Sequence, residues 1–291
     1  MTGGRPRQRS EGKKTVVTSL LSRFAAAPHV VWSVLFILIP LLFVAYYSFT
    51  DREFHFTLEN IAAFFTPKYL QILWRSVKLA LIATAVCLLV GYPAAYYIAR
   101  ADAKRQKILI MLIMLPMWMN FLIRTYAWMV ILQDTGILNA ALGAVGIGPL
   151  KLMYTEGAVV LGMVYDYLPY MIMPIYSVMI KLDPRLVEAA YDLGCTPVQV
   201  IRKVVIPQSI PGVVSGIMMV FVPSISTFYI SQKLGGGNFY LIGDAIETQV
   251  YTANNLHMAA AISLVLMIIL LAGMFVMNRF SDDSAGGGLI P

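Results

Sequence analysis

Six stretches of this sequence are each long and apolar enough to cross a lipid bilayer, and that restricts the fold more than any other feature. They run from Val30 to Phe49, Val77 to Ala99, Ile108 to Leu132, Gly157 to Ile180, Ile206 to Ile230 and His257 to Met277. A helix needs about 20 apolar residues to span about 30 Å of hydrocarbon. Within that layer the chain itself must satisfy every backbone N–H and C=O, so the expected fold is all-α, a polytopic membrane protein with six transmembrane helices. Composition agrees: 59% of the 291 residues are hydrophobic and only 13% charged, unlike a soluble domain.

The formal net charge is +7, but the cations gather in alternate loops. Arg5, Arg7, Arg9, Lys13, Lys14 and Arg23 precede the first stretch. Arg100, Lys104, Arg105 and Lys107 separate the second from the third, and Lys181, Arg185, Arg202 and Lys203 the fourth from the fifth. The intervening loops are mixed (Asp51, Glu53, Glu59) or lean acidic (Asp134 and Glu156; Asp244 and Glu247). By the positive-inside rule both termini and the two basic loops are expected on the cytoplasmic side of a bacterial inner membrane. The basic tail suits an anionic lipid surface, and no nucleic-acid partner is expected. The first stretch is too long for a secretory signal and lacks a small-residue cleavage site, so it reads as an uncleaved span. The expected organisation is a basic tail over 1–28, a membrane domain over 29–280 with a structured loop at 182–206, and a Gly-rich loose tail over 281–291. Cys87 lies in a span and Cys195 in a basic loop, so no disulfide is expected.

Two acid-side loops are long enough to carry structure. In the second, Gly235 to Gly237 form a hinge, and Leu241, Ile242, Ala245, Ile246, Gln249 and Val250 recur at helical spacing, predicting a short helix along the outer mouth.

The segment from Asp183 to Pro207 encodes two short helices with explicit start and stop signals. Asp183 before Pro184 is an N-cap with proline at the first helical position, and Gly194 supplies the left-handed residue that ends the helix. Thr196 to Gln199 is a capping box, and the second helix is expected to run until Pro207 opens the fifth span. In the first helix Leu186, Val187, Ala190 and Leu193 share a face that is expected to pack on the protein. Arg185, Glu188 and Asp192 share the face expected to meet a partner. A plain connector and a DNA-binding helix-turn-helix compete with this reading. Tethering between two spans and acids on the exposed face oppose the second.

Glu188-Ala189-Ala190, then three residues, Gly194, then nine residues and Val204-Val205-Ile206-Pro207 resemble the EAA loop of permease subunits of binding-protein-dependent ABC importers. Val204 and Ile206 stand where that family usually has Ile and Leu, a volume-conserving departure. Leu115 to Tyr126, Leu168 to Tyr176 and Phe228 to Ser231 resemble the spermidine/putrescine branch of the same family. The resemblance covers roughly Val30 to Met277. It implies a type I importer permease fold in which Asp183, Glu188, Ala189, Ala190, Asp192, Gly194 and Pro207 belong to helices that dock on a cytoplasmic ABC ATPase dimer. It also implies a second permease subunit and a periplasmic solute-binding protein as partners, and a polyamine as solute.

Energy for uphill transport has no source in the chain itself. GxxxxGK[ST], HExxH, CxxC and GxSxG are all missing, so no enzymatic activity, no metal site and no cofactor bound by this chain are expected. Under the resemblance, ATP and Mg sit on the partner ATPase. The alternative is an ion-coupled secondary carrier, for which Asp166 is the one clear intramembrane acid. A structural scaffold is a further option.

Asp166 falls roughly 13 Å into the fourth span and must face a partner or water. A continuous third helix would carry Arg124 about 24 Å from the inner face, where it is expected to snorkel outward; pairing with Asp166 is the competing reading. A polyamine is a chain of ammonium groups, which carboxylates and aromatic faces attract. The candidate pathway residues are accordingly Trp118, Asn120, Tyr126, Tyr165, Asp166, Tyr167 and Tyr229, although aromatics near span ends also serve as interfacial belts. Pro116, Pro169, Pro174, Pro207, Pro211 and Pro223 are candidate hinges, with packing kinks the competing reading.

Overall fold

The computed structural model describes residues 28–286. The basic residues of the N-terminal tail and the last five positions lie outside the described residues. Apart from one isolated bridge between Thr50 and Phe56, the regular structure described is helical.

Among the described residues twelve helices follow in order. Helix α1 is Pro28–Ser48, α2 Glu59–Phe64, α3 Pro67–Arg100, α4 Ala103–Trp118, α5 Phe121–Leu132 and α6 Ile137–Ala144. Helix α7 is Glu156–Met179, α8 Pro184–Asp192, α9 Pro197–Ser226, α10 Tyr229–Gly235, α11 Ile242–Tyr251 and α12 Leu256–Gly286. Five of the described helices, α1, α3, α7, α9 and α12, are long and apolar enough to span; a sixth span is counted by taking α4 together with Phe121–Ala144, that is α5 and α6, which is bent from α4 by 92°.

Helices α3, α7 and α9 pack along one another as the centre of the bundle, and α1 lies at the edge against α12. Met171 of α7 is the knob at the centre. A Cβ added to Gly91 of α3 would lie 3.0 Å from Met171 Cγ, and one on Gly216 of α9 would lie 3.1 Å from the Met171 carbonyl oxygen. One turn away, a Cβ on Gly212 would meet the Pro174 carbonyl at 2.9 Å. Gly212 and Gly216 form a small-xxx-small stripe, which lets two backbones approach where lipid offers no hydrophobic drive.

Within α3, α7 and α9 prolines are absorbed without breaking the helix. Pro169 and Pro174 lie inside α7, Pro211 and Pro223 inside α9 and Pro93 inside α3. Val34–Leu38 and Ile201–Val205 widen into π turns immediately ahead of the Ile39-Pro40 and Ile206-Pro207 pairs. A proline clashes with the carbonyl four residues back, and a wider turn moves that carbonyl away. Pro207 therefore does not open the fifth span: the second loop helix runs unbroken through it to Ser226.

Other boundaries shift as well. Helix α3 starts at Pro67, ten residues before the expected span, and α12 continues to Gly286, into the segment read as a loose tail. The fifth span ends at Ser226, so Tyr229 opens the separate helix α10. Beyond the hinge at Gly236 and Gly237 (φ +60° and +77°), α11 is the short helix expected from the spacing, with Ile242, Gly243, Asp244 and Ala245 buried. Cys87 and Cys195 are free thiols.

Candidate functional site

Two places concentrate polar chemistry: the loop holding α8, and a buried ion pair beside the break in the third span.

In the loop, Asp183 Oδ1 accepts the Arg185 N–H at 3.0 Å. Helix α8 ends in a Schellman arrangement, with Gly194 N–H donating to Tyr191 C=O at 2.9 Å and Cys195 N–H to Ala190 C=O at 3.0 Å. Gly194 has φ +80°, which a residue with a Cβ adopts only under strain. Thr196 and Gln199 form the reciprocal capping box that starts α9. Ala190 is buried, whereas Asp183, Glu188, Ala189, Asp192, Gly194 and Pro207 are exposed. A hollow of about 510 Å³ between the end of α3 and α8 has Arg100, Asp183, Val187 and Glu188 in its wall.

The expected inward face of α8 is only half inward. Val187 and Ala190 turn to the protein, but Leu186 is 46% exposed and Leu193 85%, and Val198 at the start of α9 is 73% exposed. Leu193 is the cap residue, beyond the helical register that carries Ala190 inward. Together with Tyr191 these side chains give the loop an apolar outer surface among its charges.

The second place follows from the break between α4 and α5. Pro116 sits in the last turn of α4, and Asn120 restarts the chain by accepting the Leu122 N–H at 2.8 Å. Because α5 then leaves at 92°, Arg124 does not continue outward and does not snorkel. It is buried, and its Nη1 lies 3.0 Å from Asp166 Oδ1 on α7. Pairing keeps the net charge of the buried site at zero, without which either ion is prohibitive in lipid. Arg124 Nε and Nη1 and Asp166 Oδ1 find no aligned hydrogen-bond partner among the described residues, so the attraction is mostly Coulombic.

The aromatic candidates divide into groups. Tyr126 and Tyr229 stand edge to face with centroids 6.5 Å apart, and Phe121 lies 5.4 Å from Tyr229. Lys233, not expected here, places Nζ 5.7 Å from both tyrosine centroids. Tyr165 packs edge-on to Trp128 at 5.4 Å, and the Tyr167 hydroxyl donates to the Pro223 carbonyl at 3.5 Å. Trp118 is 80% exposed and joins none of these pairs. Asn120 acts as a helix cap. The break was signalled by Pro116 followed four residues later by a capping residue, but its direction was not.

Helix α10 is fixed by α11. Ser231 Oγ donates to Asp244, 2.8 Å from Oδ2, and the same oxygen accepts the Leu241 N–H at 2.8 Å. Burial pushes the Asp244 carboxyl up to about 6, against the pull of these hydrogen bonds.

A bundle of spanning helices with one broken span and an exposed helix pair in a basic loop is the architecture of an importer permease. Residues 8–282 match the family of binding-protein-dependent transport system inner membrane components, and the chain belongs to that family. It is the multi-pass inner-membrane permease subunit of an ABC importer, not an enzyme, and hydrolysis of ATP resides in a separate subunit. Family membership favours this over an ion-coupled carrier. Among its relatives, the spermidine/putrescine transport system permease protein PotB of Haemophilus influenzae is 39% identical over 256 residues, covering 85% of this chain and 90% of that protein. PotB of Escherichia coli strain K12 is 38% identical over 247 residues, covering 82% and 90%. The fold matches a chain of a bacterial ABC transporter involved in import of the acidic polysaccharide alginate, with a TM-score of 0.75 at 16% identity, covering 94% of this chain and 99% of that one. It also matches a chain of the MetNI methionine ABC transporter, with a TM-score of 0.55 at 17% identity, covering 74% and 95%.

Proposed function

We propose that this permease imports a polyamine such as spermidine or putrescine. The observation that carries the reading is the 38 to 39% identity to PotB permeases over more than four fifths of the chain. The paired aromatic faces of Tyr126 and Tyr229 support it, since ring faces attract ammonium groups. Trp118, Asn120, Tyr165 and Tyr167 belong to the surrounding structure on this reading. Asp166 serves mainly to neutralise Arg124 rather than to bind solute, because its carboxylate is already engaged.

The basic loops support a cytoplasmic position for α8 and both termini. There the exposed Leu186, Tyr191, Leu193 and Val198, with Glu188 and Asp192 among them, dock on one subunit of an ABC ATPase dimer that holds ATP and Mg. A second permease subunit completes the pathway, and a periplasmic solute-binding protein delivers the solute to α6, α10 and α11. Closure of the ATPases moves α8, and because the second loop helix is the first part of α9, the motion passes directly into the bundle core.

The test is uptake of radiolabelled spermidine and putrescine by vesicles holding the complete complex and its solute-binding protein. ATP-dependent accumulation of either polyamine is expected. Accumulation of some other solute and of neither polyamine would reject the substrate.

A further inference from the structure

We infer that Lys233 is a resident cation in the solute pathway, holding the Tyr126–Tyr229 site that a substrate ammonium takes over during transport; this rests on the polyamine reading above.

Lys233 lies in the last turn of α10, where a helix C-terminus favours positive charge. Its Nζ is 5.7 Å from each tyrosine centroid, within the roughly 6 Å over which an ammonium is drawn to a ring face. The two rings come from different elements, α5 and α10, so the lysine bridges the broken span to the outer loop.

The carboxylates of α7 and α11 are committed elsewhere. Asp166 pairs with Arg124 and Glu156 with Lys78. Asp244 accepts from Ser231 and Leu241, and Glu247 accepts from Gln232 Nε2 at 3.2 Å. These four carboxylates are thus each occupied by a cation or donor of this chain. Arg124 is locked by burial, whereas Lys233 is half-exposed on a flexible stem and Tyr126 is 49% exposed. An arriving ammonium displaces Lys233 from the rings and loses the site again when the lysine returns. A transport site has to be weak enough to leave as well as favourable enough to enter, and a tethered competitor sets that weakness.

The detergent-solubilised complex of both permease subunits and the ATPases, without solute-binding protein, is titrated with radiolabelled spermidine. Lys233→Met is expected to bind about fivefold tighter than wild type, the scale of one exposed cation–π contact, while Lys233→Arg stays within about twofold. In vesicles supplied with solute-binding protein, Lys233→Met lowers kcat for uptake and leaves the KM for the loaded binding protein unchanged. If Lys233→Met does not assemble, Lys233→Gln removes the charge and keeps the length and a hydrogen-bonding end. Affinity in the neutral variant equal to or weaker than wild type, in a complex that still imports spermidine, overturns the inference and leaves the polyamine reading standing. A wild-type complex that imports no polyamine ends that reading, and this inference with it.

Discussion

The junction from α8 to α9 and the junction from α4 to α5 use the same chemistry: a helix stops, a short polar side chain caps the next one, and the chain resumes. In the loop, Gly194 and the Thr196 box do this at the surface, and the outcome is a helix pair with an apolar outer face. In the third span, Asn120 does it at an exposed position beside a buried pair, and the outcome is a 92° turn that lodges Arg124 against Asp166. Cap chemistry decides where a helix begins; what surrounds the cap decides where it points. At the loop water permits many directions, so exposure and partner contact matter. At the break only a direction that pairs Arg124 is tolerable.

The largest expected effect lies at the buried pair. Arg124→Met leaves Asp166 alone in an apolar site, and a loss of about 3 to 5 kcal/mol of stability is expected, read as a fall in the melting temperature of the solubilised complex. Arg124→Met combined with Asp166→Leu should recover most of it, because two apolar side chains replace the pair. A double variant no better than the single one would show that the pair holds the break by geometry rather than by charge.

Gly216→Leu probes the α7–α9 contact that, in the mechanism proposed above, carries motion from the loop toward the break. The added side chain meets the Met171 carbonyl, which cannot yield without moving a helix, so a cost of about 1 to 3 kcal/mol is expected in the same melting assay. The smallest effect belongs to the cap. Asn120→Ala should cost about 1 kcal/mol and Asn120→Asp much less, because either side-chain oxygen accepts the Leu122 N–H. Equal melting of the alanine variant and wild type would place the bend under the control of packing alone.

The spans, the caps at Asp183, Gly194 and Thr196, and the short helix after the glycines were legible because each depends on residues within one or two turns. The orientation of α5 was not, since a linear count of helical rise assumes a straight helix, and the error carried Arg124 to the wrong depth. Leu193 was misplaced for a related reason: helical spacing was extended to a residue that serves as the cap. The Gly212 and Gly216 stripe was visible as a pattern, but only the structure shows that Met171 and Pro174 lie against it. Lys233 gave no signal, because nothing local ties the end of α10 to a ring on α5.

The most direct test concerns the apolar surface of the loop. With Leu193→Asp, an exposed position where a charge costs the isolated fold little, the permease pair is purified and the copurifying ATPase subunit is quantified along with spermidine uptake in vesicles. Expected is a normally inserted permease pair that retains less than about a tenth of the ATPase and of the uptake, the scale of one lost interface anchor. Wild-type amounts of both would contradict docking through α8.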